Sequence, residues 1–223
     1  MARSNFHQLR EAAYSPLEMT IKNTLSAIFA RARDVWQEEG LIALLRRGVA
    51  FLVPYFYQNG TYYRLEHTMK ERNEADFMPK IQDFTFKIVS TNQQADELAA
   101  DGYDFRSYST YARKWLDKGA VAFCLFVGRE LAHIGWVAMT EESKNTFEPY
   151  PYQVNFSNKE ACTGGTLTIP KYRGKGLMVY GYFKRFQYLR EKGIVLSRNA
   201  VAIDNVASLK AHGRFSPEIR AKA

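Results

Sequence analysis

The 223-residue sequence predicts an α/β fold behind an N-terminal helical and hairpin extension. Three observations carry that prediction. From residue 81 onward, runs with strand-like alternation are interleaved with runs at helical spacing. Hydrophobic residues make up 46% of the chain and aromatic residues 14%, ample for a packed core. The third is Leu167-Thr168-Ile169-Pro170-Lys171-Tyr172-Arg173-Gly174-Lys175-Gly176-Leu177, which reads as an apolar strand, a sharp basic turn and the start of a helix.

Residues 1–50 read as helices. Asn23 or Thr24 caps a run in which Leu25, Ile28, Phe29, Ala32 and Trp36 recur at helical spacing, Gly40 ends it, and a second run starts at Leu41. A membrane span needs about 20 apolar residues. The 41–57 stretch is interrupted by Arg46, Arg47 and Pro54, so it is expected to pack on the main domain or on a partner. A basic amphipathic segment lying on a membrane surface is the alternative. Phe51–His67 turns to Tyr, Phe and Val around Asn59-Gly60, a hairpin signal. The charged Lys70–Pro79 reads as a linker, which divides the chain into an extension, 1–80, and a main domain, 81–223.

In the main domain, Asp83–Ser90 alternates Phe84, Phe86 and Ile88 with polar neighbours, as a half-buried strand does. Asn92–Lys118 is polar and helical, broken near Gly102. Ala120–Gly128 is nearly all apolar and so a central strand, and the two-residue turn Gly128-Arg129 leads into a strand over Glu130–Thr140. Glu141–Pro151 reads as a loop, Tyr152–Phe156 as a short strand and Glu160–Ile169 as a long one. The helix from Leu177 sets Val179, Tyr182, Phe183, Phe186 and Leu189 on one face, with Lys184, Arg185 and Arg190 outside, and ends at Gly193. Ser197–Ile203 is a strand and Asn205–His212 a short helix.

The net charge of +8 is unevenly spread. Residues 159–223 carry 13 basic and 4 acidic side chains, whereas residues 81–158 carry 7 and 10. The positive field therefore surrounds the glycine turn and suits a polyanionic ligand. Nucleic acid is the rival partner, but Arg-rich arms and stacked-aromatic signatures are missing. Cys124 and Cys162 lack C-x-x-C spacing and read as buried small hydrophobes in a reducing compartment. The four histidines show no metal-ligand spacing, so no metal site is expected. No signal-peptide pattern marks the start, and a cytoplasmic location is the expectation.

The turn itself is an anion site by its chemistry. Gly174 and Gly176 leave the backbone amides bare, the helix N-terminus adds unpaired N–H groups and its dipole, and Arg173 and Lys175 add charge-assisted contacts. It is not a P-loop, because neither glycine is followed by Lys-Ser or Lys-Thr. It is not a dinucleotide fingerprint either, because Val179 holds the third glycine position.

The stretch resembles the acyl-coenzyme A loop of the GNAT N-acetyltransferase superfamily, [RQ]-x-x-G-x-[GA] after a hydrophobic-x-P-x-[YF] strand end. Ile169 and Tyr172 lead into Arg173, and Gly176 takes the glycine position, while Met178 departs from the usual Gly or Ala. Val201–Leu209 is similar to the family's strand followed by N-x-x-[AS], with Asn205 and Ser208 in place; locally this is also a capped helix. The resemblance implies a mixed central sheet with flanking helices, acetyl-CoA as co-substrate, and acyl transfer to an amine by direct attack in a ternary complex.

It also implies roles. Leu167, Thr168 and Ile169 would present backbone amides to the thioester and pantetheine arm, Arg173, Gly174, Lys175, Gly176, Leu177 and Met178 would hold the pyrophosphate, and Asn205 and Ser208 would help. His212 stands where the family has a thiolate-protonating Tyr, a role an imidazole is able to fill; a helix-end cation is the alternative. Glu160 is the candidate base, and Cys162 has no His–Asp pattern to make it a nucleophile. In the Gly102–Tyr108 connection, Asp104 would hold a cationic amine and Arg106 a carboxylate, against the plainer reading of a solvated turn. The acceptor is a small-molecule amine, an amino sugar or an amino acid, with nothing to select among them. A non-catalytic coenzyme A or anion sensor is one rival, and a membrane-surface or partner-docking protein acting through residues 24–57 is another. The residues after Phe215 leave no room for the family's closing strand pair. The sheet is then shorter, or the 51–67 hairpin contributes to it, or a partner chain such as a second copy completes it.

Overall fold

The structure, a computed structural model, describes residues 61–222. The helices expected over residues 1–50 and the Asn59-Gly60 turn lie outside the described residues. Seven strands form one sheet: β1 (Tyr62–Thr68), β2 (Phe84–Val89), β3 (Val121–Val127), β4 (Glu130–Ala138), β5 (Glu160–Thr168), β6 (Leu196–Ala202) and β7 (Glu218–Lys222). Their order is β2-β3-β4-β5-β6-β1-β7. Every neighbouring pair is antiparallel except β5 and β6, so the sheet is mixed. The described helices are α1 (Asn92–Ala100), α2 (Ala112–Asp117), α3 (Glu141–Phe147), α4 (Leu177–Glu191) and α5 (Val206–Gly213).

The alternation within β3 divides the core. Ala122, Cys124 and Phe126 point to the face covered by Leu98, Leu116 and Phe147 of α1, α2 and α3. Val121, Phe123 and Leu125 point to the other face, covered by Leu177, Phe183, Phe186 and Leu189 of α4. Both faces are apolar, which is why β3 reads as a continuous hydrophobic run rather than an alternating one. Each buried large side chain contributes about 1.5–3 kcal/mol. The tight link from β3 to β4 uses Gly128 at φ +60, as expected for a two-residue turn.

Four local expectations need correction. Residues 141–147 form a helix rather than a loop, because Thr140 and Ser143 make a reciprocal capping box at its start. Residues 152–156 form no strand. Their alternation buries Tyr152 and Val154, but the backbone finds no partner ladder. Arg185 is fully buried on the sheet-facing side of α4, not on its outer face. The sheet-bearing unit begins at Gly60, and β1 lies inside the sheet between β6 and β7. Tyr62–Thr68 therefore joins the sheet from the N-terminal side, pairing with both β6 and β7. The closing element is the single strand β7 laid along β1, with a register shift between Arg64 and Leu65.

Candidate active site

The site is built where β5 leaves β6. The two strands are in register only at Glu160–Leu196, Ala161–Ser197 and Cys162–Arg198. A last cross-link joins Thr163 Oγ1 to Ser197 Oγ at 3.1 Å. Beyond it, β5 follows β4, β6 follows β1, and a wedge opens between them. Gly164 and Gly165 stand at its apex. Glycine inside a strand marks a bulge or a close approach, and both hold here: Gly165 sits at φ +54, and β4 shifts register opposite it.

The basic turn closes the open end of the wedge. Gly174 and Gly176 adopt φ +75 and +84, positions glycine takes without strain. Gly176 caps α4 with no side chain, so the first amides of the helix, from Leu177 and Met178 on, keep no intrahelical partner. The Met178 side chain packs on the core cluster, which leaves its amide at the turn. Arg173 Nε donates to Thr168 O at 3.2 Å, and Lys175 is exposed. Ile169 N–H is spent on Ala132 O of the β4 side (3.0 Å). By strand alternation Leu167 faces β4 as well, and Thr168 and Thr166 turn their backbone groups to the wedge. Of the three amides expected to meet the pantetheine arm, only that of Thr168 is so directed.

Glu160, the expected base, lies away from the wedge. Its carboxylate is held by Arg198 Nη2 (3.0 Å) and by the Asn155 backbone N–H (2.7 Å), at the end of β5 where the strands are still paired. It is one wall of a cavity of about 630 Å³, shared with Glu141, Tyr152, Asn155 and Arg198. The carboxylate at the wedge is Glu148, which sequence reasoning missed. Its Oε2 lies 3.1 Å from where a Cβ on Gly164 would stand. Oε1 accepts from Tyr150 N–H and Oε2 from Tyr152 O–H, each at 3.1 Å. Burial raises its pKa to about 7 despite those bonds and the nearby Lys144. Tyr152 also meets Cys162 Sγ at 3.1 Å, and burial pushes that thiol up to about 12, which makes it inert as a nucleophile.

His212 of α5 is fully buried. Nε2 is bonded to Asn199 of β6 (2.9 Å) and Nδ1 to His67 of β1 (3.1 Å). Burial holds it neutral, well below its usual pKa, with His67 and Arg185 adding to the shift. A ring in this state has no imidazolium proton to give. Asn205 caps α5 through Ser208 N–H (3.1 Å), and Ser208 is buried. Asp104 caps its own turn through Arg106 N–H, and the Arg106 guanidinium is paired with Asp96 at 2.7 Å. Both residues are thus committed to the α1–α2 connection. Among the described residues no helix is long and apolar enough to cross a membrane.

No family model matches the chain, and no curated protein matches it in sequence. Solved structures match it by fold. A tandem GNAT protein from the clavulanic acid biosynthesis pathway is 16% identical, with a TM-score of 0.50 over 78% of this chain and 56% of its own. The GCN5-related glucosamine N-acetyltransferase region of a fungal multi-domain beta-N-acetylglucosaminidase is 10% identical, with a TM-score of 0.51 over 82% of this chain and 22% of its own. A functionally unknown conserved protein from Staphylococcus epidermidis is covered over 63% of its length, so the chain spans less than two thirds of each. The mixed seven-stranded sheet with flanking helices is a GNAT-like fold.

Proposed function

We infer that the protein is an acyl-CoA-dependent N-acyltransferase, with acetyl-CoA as the donor and a small amine as the acceptor. One observation carries the reading: the only parallel pair among the described strands comes apart three residues in, and the wedge opens onto a turn with bare amides and two cations. Arg173, Lys175 and the amides of Leu177 and Met178 would hold the pyrophosphate. The edge of β5 at Thr166 and Thr168 offers main-chain groups to an extended arm. An acceptor amine must be neutral to attack. Glu148, titrating near neutrality beside Gly164, is suited to take its proton. The cavity lined by Glu141, Tyr152, Asn155 and Arg198 would take a polar acceptor, and Tyr152 links it to Glu148.

Thermal unfolding with acetyl-CoA tests the reading. A ligand that binds only the native state raises Tm by mass action, and Arg173→Ala with Lys175→Ala is expected to remove most of the rise. A full shift in that double variant would put the cofactor elsewhere. Turnover of acetyl-CoA over a panel of amines then separates an enzyme from a coenzyme A sensor.

A further inference from the structure

Glu148 does not line the cavity in which an acceptor would sit. Among the residues that do, Tyr152 is the one bonded to it, its hydroxyl donating to Glu148 Oε2 at 3.1 Å. Tyr152 is 6% exposed and borders about 630 Å³ of open space. The same hydroxyl meets Cys162 Sγ at 3.1 Å, at the last residue of β5 in register with β6. One side chain thus touches the cavity, the carboxylate and the root of the wedge.

The proton count of this hydroxyl fixes its direction. A phenol has one proton to donate and two lone pairs to accept with. The proton is spent on Glu148, so the Cys162 thiol is the donor in the second contact. Burial keeps that thiol protonated by pushing it up to about 12. One lone pair of the hydroxyl is left over. Burial, then Cys162 and Glu148, hold the phenol well above its ordinary range, so it does not ionise at rest. Such a group gives a proton up only as it accepts another. The charges facing it are already paired: Lys144 with Glu141 of α3 at 3.6 Å, and Arg198 of β6 with Glu160 of β5 at 3.0 Å. Lys144 Nζ stands 5.0 Å from the Tyr152 ring centroid. The hydrogen bonds of Glu148 run to Tyr150 N–H and Tyr152 alone among the described residues, so no other cavity group offers it a proton.

We propose that the Tyr152 hydroxyl is a proton relay, which takes the acceptor's ammonium proton on its free lone pair and passes its own to Glu148. This rests on the acyl-CoA reading. One N–H bond and one O–H bond break, and one O–H bond forms on Tyr152 and another on Glu148. The phenol is unchanged, and the carboxylate becomes the acid. The freed nitrogen pair then bonds to the thioester carbon, and the C–S pair leaves with the sulfur. The surplus proton on nitrogen goes to that thiolate. Once the amide has left, Glu148 returns its proton to water through the same hydroxyl.

Transfer from acetyl-CoA to ethylamine and to hydroxylamine, measured at neutral pH on the full chain, tests this. Ethylamine arrives as an ammonium ion, whereas hydroxylamine arrives neutral and needs no relay. Tyr152→Phe keeps the ring and is expected to lower kcat/KM for ethylamine by about 10²-fold or more, the scale of losing a proton-transfer group. The loss for hydroxylamine should be much smaller, and KM for acetyl-CoA unchanged. Because both rates scale with the folded fraction, their ratio reads the relay even in a destabilised variant. Glu148→Gln should shift the ratio alike, and the double variant should be no worse than the worse single one, as for groups on one path. An unchanged ratio in Tyr152→Phe, or losses that multiply in the double variant, overturns the relay. Wild-type rates in mixtures of H2O and D2O need no variant. Two protons moving together give a curved dependence on deuterium fraction, and a straight line overturns the proposal. Transfer to neither amine overturns it too, while the rise in Tm with acetyl-CoA decides the acyl-CoA reading separately.

Discussion

Glu148 and Glu160 stand twelve positions apart in the sequence and meet opposite fates. Glu160 begins a strand and has Arg198 and a backbone amide as partners. Glu148 ends a helix, faces a strand residue with no side chain, and is left to titrate near neutrality. Its folded pKa of about 7 lies above the ordinary 4.5, so the stability it gives is complete below pH 4.5 and is lost as pH rises through 7. Glu148→Gln is therefore expected to lower kcat/KM by about 10²-fold or more and to stabilise the protein at pH 8 by roughly 2–3 kcal/mol. Urea unfolding and steady-state rates on the same preparations check both. A variant with full activity, or one less stable at pH 8, would remove Glu148 from the mechanism. Nothing local in the sequence marks Glu148 or Arg185. Each is buried by something distant, Gly164 for one and Gly135 for the other, and an arginine among helical charges reads as solvated until the sheet is placed beneath it.

Among the elements, the basic turn and the long helix after it were legible because glycines at positive φ and a one-sided apolar face are written in consecutive residues. Helix α3 was not, since its start depends on a Thr140–Ser143 box that shares its sequence with many turns. The wedge had one local sign, Gly164-Gly165 in mid-strand. The role of β1 needed pairing over more than 130 residues, Tyr62 with Ala202 and Tyr63 with Lys222, which no local pattern encodes. Without β1, both β6 and β7 lose a neighbour. A fragment starting at Gly60 is expected to unfold cooperatively, and one starting at residue 70 to be molten or insoluble. Calorimetry on the two fragments decides, and a cooperative transition in the shorter one would mean that the sheet closes by another route.

At the scale of the molecule, the described sheet of otherwise antiparallel neighbours contains one parallel pair that parts, and the turn beside the opening carries Arg173 and Lys175. The central claim is that an acyl-CoA lies in that opening along β5. Hydrogen–deuterium exchange with and without acetyl-CoA, resolved to single amides, measures it most directly. Slower exchange is expected at Thr166, Thr168, Leu177 and Met178, which face the wedge or the turn, with Leu167 and Ile169 unchanged because their amides are directed to β4. Protection confined to other strands, or equal at Thr168 and Ile169, would contradict it.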